Sequence, residues 1–213
     1  MFAETEALVL FPTYVWMHQL DRQDYERIND TIRAKLKSLQ ATYSGEVPKQ
    51  GWQTHNNLHT LPEFQELNSF IFAATKGIMD FLKVAEDSIE ITSCWANIKS
   101  QGATQPWHTH PNNYLGGVYY VDLPPDSGTI GFQDPRGQPA VISPRVKEST
   151  PENSGRAVIA VKEGMLLLFP AWLAHSVVAN PSPRERISVS FNLMFSSFTE
   201  KVSPVKWEGT LPS

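Results

Sequence analysis

The sequence predicts a mainly β chain with N-terminal helices: a double-stranded β-helix, or jelly roll, with helices packed outside. Three observations carry this. The first third holds two stretches with apolar residues at three- and four-residue spacing, the pattern of helices that bury one stripe. From Ser88 onward the apolar period changes to two, as in strands. Short segments of that kind then follow one another with Gly, Pro, Asn and Asp between them, and no helical pattern alternates with them.

Taken in order, residues 7–15 are apolar and β-rich but interrupted by Pro12, and read as an edge strand. Asp21 opens a helix whose stripe is Tyr25, Ile28, Ile32, Leu36 and Leu39. Residues 44–58 are polar and read as loop. Thr60 followed by Glu63 has the form of a capping box, with Pro62 in the first turn, and Phe64, Leu67, Ile71, Ile78 and Leu82 make the apolar face of a second helix. Ile89, Ile91, Ser93, Trp95 and Asn97 then alternate with Glu90, Thr92, Cys94 and Ala96. Further strands are expected at 105–110, 115–122, 129–133, 157–161, 165–169, 174–179 and 186–195. Residues 134–156, rich in Pro, Ser, Gly and Arg, are too long for a hairpin turn and are expected to form a mobile loop over one mouth of the barrel.

A length of 213 residues suits one domain spanning 1–213, with 1–87 supplying a strand and helices and 88–199 the β core. The net charge of −4 is spread over both signs, so no basic block marks a nucleic-acid or membrane-surface binder. No run approaches the roughly 20 apolar residues of a membrane span, and the start lacks the form of a secretory signal. The cytoplasm is the expected compartment, and a homodimer is left open. A single cysteine, Cys94, rules out an intramolecular disulfide or a thiolate metal cage, and its place in a strand pattern reads as inert.

The chemistry-bearing residues are histidines. His108 and His110 lie two apart, so on a strand both point to one face. His175 sits in a separate strand segment. Imidazole is a borderline ligand that suits iron, zinc, copper and nickel. Two ligands from one strand and one from another can occupy one face of an octahedron and leave the opposite face open. His18, His55 and His59 lie in polar or irregular surroundings and are assigned to surface or loop packing. A pairing of His110 with Asn112 is disfavoured, since Pro111 breaks the strand and an amide is a poor ligand.

In the last strand alternation puts Arg186, Ser188, Ser190 and Asn192 on one face and Ile187, Val189 and Phe191 on the other. One wall of the barrel is therefore polar. An inward arginine needs an anion, because an unpaired buried guanidinium is costly. An internal Asp or Glu is one candidate partner, and a bound carboxylate gripped by the planar fork is the other. Tyr119 and Asn97 either complete that pocket or serve packing and backbone satisfaction.

These motifs resemble known families. Gly102, His108 and His110, then Gly164, Pro170 and His175, are similar to the two halves of the cupin signature, although Tyr114 and Leu115 stand where its glutamate is expected. The same strands resemble the Fe(II)/2-oxoglutarate oxygenases, with His175 followed by Arg186-Ile187-Ser188 and with Asn97 ahead of the first histidine. The segments WANIKSQG, HTHPNNYLGGVYYVDLP, GTIGFQDPR, GMLLLFPAWLAHSV and RISVSFN look most like an uncharacterised bacterial and phage branch of those oxygenases. The resemblance implies Fe(II) held by His108, His110 and His175, and 2-oxoglutarate anchored by Arg186 and Ser188 with Asn97 and Tyr119 beside it. It also implies molecular oxygen as reactant and hydroxylation of a small-molecule or peptide substrate. His110 stands where that family has an acid. Three neutral imidazoles leave the metal its full +2 charge, which a 2-oxoglutarate dianion would balance. The rival expectations are a three-histidine cupin dioxygenase without 2-oxoglutarate and a non-enzymatic jelly-roll ligand binder.

Overall fold

Ile28, Ile32 and Leu36, the centre of the first predicted stripe, are each at most 3 % exposed. They belong to helix α1 (Arg22–Thr42), whose remaining surface is charged. The structure, a computed structural model, describes residues 1–42, 51–85, 88–137, 142 and 144–199. The second helix, α2 (Gln65–Leu82), buries Leu67, Ile71 and Ile78, while Leu82 at its end is exposed. Its start departs from the sequence reading. Two 3-10 turns, Leu58–Thr60 and Pro62–Phe64, precede it and no side chain caps it. The Thr60 hydroxyl donates to the Asn57 carbonyl (2.8 Å), and the Glu63 carboxylate pairs with Lys35 Nζ of α1 (2.9 Å). A tertiary ion pair and a tight turn have taken both members of the expected box.

The strands are β1 (Trp16–Gln19), β2 (Trp52–Gln53), β3 (Ile89–Lys99), β4 (Gln105–His108), β5 (Leu115–Asp122), β6 (Thr129–Gln133), β7 (Arg156–Ala160), β8 (Met165–Pro170), β9 (His175–Val177) and β10 (Arg186–Phe195); a short helix, α3 (Ser196–Thr199), follows. They form two antiparallel sheets, one ordered β1-β8-β5-β10-β3-β2 and one ordered β4-β9-β6-β7. The expected edge strand is present but later in the chain. Residues 7–15 form no strand, and pairing with β8 begins at Trp16, beyond Pro12, whose ring nitrogen has no hydrogen to donate. Within the expected loop, Trp52 and Gln53 add the strand β2 to the far edge of the larger sheet. Both strands of the N-terminal part are thus built into the sheet of the β core.

The larger sheet is buried on both faces. Leu115, Tyr119, Val121, Val189, Phe191, Leu166 and Leu168 pack outward beneath α1 and α2, in one apolar cluster. Val118, Tyr120, Leu167 and Phe169 point inward and meet Ile130 and Phe132 of the smaller sheet. Each fully buried side chain of this size contributes roughly 1.5–3 kcal/mol relative to exposure. β3 carries a bulge: Ile91 pairs with Leu193 and Ser93 with Asn192, leaving Thr92 extra. The bulge reverses the phase of alternation. Ile91 packs under the helices, and after it Cys94, Ala96 and Ile98 do, while Trp95, Asn97 and Lys99 turn into the barrel. Two glycines serve close approach. A side chain at Gly117 would meet the Phe191 ring at 2.2 Å, and one at Gly164, where φ is +74°, would meet the Tyr25 ring at 2.4 Å.

Candidate metal centre

The strand β4 ends at His108, two residues earlier than the sequence suggests, and Pro111 supplies no amide hydrogen to prolong it. His110 is held outside the ladder by its backbone N–H, which donates to the Ala171 carbonyl at 2.8 Å. His175 opens β9 directly opposite His108. The three rings converge: His108 and His175 have centroids 4.2 Å apart, His108 and His110 5.2 Å, and His110 and His175 5.0 Å. One ligand nitrogen from each lies within 4.8 Å of the others. Among the described residues these are the one group of three or more His, Cys, Asp or Glu side chains so placed. His18 and His59 lie elsewhere and, among the described residues, lack a partner for one ring nitrogen each; burial lowers the pKa of both.

The donor set fits a divalent transition metal. His108 Nδ1 lies 2.8 Å from the Pro106 carbonyl and His175 Nδ1 lies 3.0 Å from the Leu173 carbonyl. A carbonyl only accepts, so each Nδ1 carries the proton and each Nε2 lone pair is free. Two nitrogens at the usual metal distance of about 2.0–2.1 Å and at right angles would be about 3 Å apart. His110 Nε2 and His175 Nε2 are 3.2 Å apart. Burial, then the charge of His108, pushes His110 down to about 4 and His175 down to about 3, and burial lowers His108 as well. All three are therefore neutral at pH 7, the form that binds metal. Trp95 stacks on His110 and Phe169 lies against His175, so apolar walls fix both rings.

The histidines line a cavity of about 400 Å³ between the two sheets. Arg186, Ser188 and Ser190 line it too, as alternation along the last strand implies, together with Asn97 of β3. Asn97 Nδ2 donates to Ser190 Oγ at 3.0 Å. Arg186 is 4 % exposed. Its Nη1 donates to the carbonyls of Ser127 and Val178, both at 3.1 Å, and among the described residues it has no carboxylate partner. Among the described residues the internal Asp or Glu weighed from the sequence is not there.

Tyr119 is a correction. It faces the helices, fully buried, and its hydroxyl donates to Asn29 Oδ1 of α1 at 2.8 Å. The period of two gives its place in the cavity to Tyr120, whose buried hydroxyl has no hydrogen-bond partner among the described residues and which works to raise the pKa of Arg186. Asn112 sits exposed in a turn at φ +63°, away from the cavity lining. Cys94 is buried among apolar residues, and desolvation pushes its thiol up to about 12, which leaves it unreactive. Sequence reading missed Trp95, Lys99 and Gln53 as lining residues. The alternation through Asn97 could have found the first two; Gln53, on a separate short strand, left no local signal.

The loop expected at 134–156 leaves β6 at Gln133, whose N–H donates to the Ala174 carbonyl, and returns at Arg156, whose guanidinium stacks over Trp107 at 5.3 Å. Its base therefore adjoins the histidine end of the barrel. Residues 138–141 and 143 fall outside the described residues.

Residues 93–192 match the family model described as "Putative 2OG-Fe(II) oxygenase". No curated protein matches the chain. Several solved structures share the fold. HygX from Streptomyces hygroscopicus, solved with nickel and 2-oxoglutarate bound, is similar at 12 % identity and a TM-score of 0.60, over 86 % of this chain and 83 % of that one. A Pseudomonas putida prolyl-4-hydroxylase is similar at 12 % identity and 0.58, over 85 % and 92 %. A Trichoplax adhaerens prolyl hydroxylase in complex with a hypoxia inducible factor peptide is similar at 11 % identity and 0.60, over 89 % and 87 %. At these identities the likeness is one of fold.

Proposed function

We propose, from the match of residues 93–192 to the 2OG-Fe(II) oxygenase family model, that this chain oxidises a small-molecule or peptide substrate at the three-histidine cluster, most simply by hydroxylation. The observation that carries the reading is the pairing, in one cavity, of three neutral, converging imidazoles with a buried arginine that has no carboxylate partner among the described residues. Bound there, Fe(II) and 2-oxoglutarate supply the oxidising chemistry: oxygen is divided between the co-substrate, which becomes succinate and CO2, and the substrate.

The residues of the chain have separate tasks. His108, His110 and His175 hold the metal through Nε2, and the carbonyls of Pro106 and Leu173 fix the tautomer of the first and last. Arg186 offers the edge of its guanidinium not engaged by Ser127 and Val178 to the far carboxylate of 2-oxoglutarate, with Ser188, Asn97 and Tyr120 alongside. Trp95, Phe169 and Val118 keep water from the reacting end. The whole chain acts as one domain in this reading, since β1 and β2 are strands of the same sheet as β3, β5, β8 and β10. Among the described residues no helix is long and apolar enough to cross a membrane, and we place the enzyme in the cytoplasm.

The direct test is turnover. Purified chain reconstituted with Fe(II) should convert 2-oxoglutarate labelled at C1 to labelled CO2 in an oxygen-dependent way. Absence of release by the folded, iron-loaded protein across a broad set of candidate substrates would contradict the reading.

A further inference from the structure

Lys99 is the last residue of β3 and the direct cross-strand partner of Arg186. After the bulge at Thr92 it shares the inward face with Trp95 and Asn97, and it lines the same cavity as the histidines. Among the described residues its ammonium has no hydrogen bond and no ion pair, while its backbone carbonyl accepts from Asn180 Nδ2. Burial and the charge of Arg186 both lower its pKa, and its own charge lowers that of His108. It therefore interacts with both Arg186 and His108.

The cavity lining contains no Asp and no Glu among the described residues. Its charge follows by addition. Three neutral imidazoles cancel none of a divalent metal's charge, so when one carboxylate of 2-oxoglutarate is set against the metal and the other against Arg186, one positive charge is left at the metal and one on half-buried Lys99. Both lie in a space lined by Trp95, Val118, Ile130 and Phe169. Unpaired charge in such surroundings is costly, and one more anion relieves it. Arg186 has a planar fork suited to the carboxylate of the co-substrate, whereas Lys99 is a separate point charge with three free donors.

Resting on the oxygenase reading above, we propose that the substrate is a small organic acid and that Lys99 binds its carboxylate. Lys99 is then a specificity-determining residue of this site.

The test uses the full chain loaded with Mn(II) in place of iron and saturated with 2-oxoglutarate. The probes are a panel of N-acetyl amino acids, hydroxy acids and sugar acids, each paired with its own primary amide, and the readout is binding by calorimetry and melting temperature. At least one acid should bind about tenfold or more tightly than its amide, the size of a charge-assisted contact. Lys99→Met should abolish that preference, Lys99→Arg should restore part of it, and Lys99→Met should weaken 2-oxoglutarate binding far less than Arg186→Ala does. The proposal is overturned if no acid is preferred over its amide, if Lys99→Met keeps the preference, or if Lys99→Met weakens 2-oxoglutarate as much as Arg186→Ala, which would assign Lys99 to the co-substrate. Should 2-oxoglutarate itself fail to bind wild type, the oxygenase reading falls, and the acid-over-amide comparison run without it still reads Lys99.

Discussion

His110 and His175 face each other with rings parallel to within 11° and Nε2 atoms 3.2 Å apart. Two unprotonated imidazole nitrogens repel at that distance unless a cation or a shared proton lies between them. The backbone on both sides is anchored: the His110 N–H donates to the carbonyl of Ala171, four residues before His175, and the Ala171 N–H donates to the Tyr114 carbonyl.

Removal of His108 or His175 should therefore abolish stoichiometric iron binding, measured by metal analysis after desalting. His110→Asp should still bind iron, because a carboxylate on the same backbone position restores the two-histidine, one-acid set of the related oxygenases. One equivalent of iron retained by His175→Ala would contradict the ligand assignment.

The same burial sets a pH dependence in the metal-free protein. The folded values of His110 and His175, about 4 and about 3, lie below the value of an exposed histidine, near 6.5. The unfolded chain then binds more protons than the folded one between those limits, so stability falls as pH falls through that window. The melting temperature of the metal-free protein should drop between pH 6.5 and pH 4. Replacing both histidines by Gln should flatten the drop, and an unchanged slope would show that these two are not its source.

Adjacent tyrosines should behave differently. Tyr119→Phe removes a buried hydrogen bond and strands Asn29, at a cost of roughly 1–3 kcal/mol in urea unfolding, with 2-oxoglutarate binding kept. Tyr120→Phe removes a hydroxyl that has no partner among the described residues, so stability should hold while 2-oxoglutarate binding weakens. The reverse pattern would place the cavity on the other face of β5.

The contrast between these tyrosines shows what a sequence can carry. Periodicity located β5, β6 and β10 to the residue, and it sorted Arg186 and Ser188 from Val189 and Phe191 without any structure. It could not choose between Tyr119 and Tyr120, because both faces of β5 are buried and the apolar pattern there is continuous. The bulge at Thr92 was invisible for a similar reason: a shift of phase inside a strand buried on both sides leaves no polar residue exposed to mark it. The failed capping box at Thr60 and Glu63 has another origin, since Lys35 reaches Glu63 from a helix that is distant in sequence. The histidines were legible because His108 and His110 are neighbours in sequence and His175 stands in a strand motif of its own.

The central claim is that metal and 2-oxoglutarate meet in one cavity between the three histidines and Arg186. Titrating 2-oxoglutarate into the anaerobic Fe(II) protein, and following the visible metal-to-ligand charge-transfer band that chelation produces, tests it most directly. The band should appear in wild type, and Arg186→Ala should need about tenfold to a hundredfold more 2-oxoglutarate for the same amplitude, with iron content unchanged. No band in a folded, iron-loaded wild type, or an Arg186→Ala titration that overlays wild type, would contradict the account.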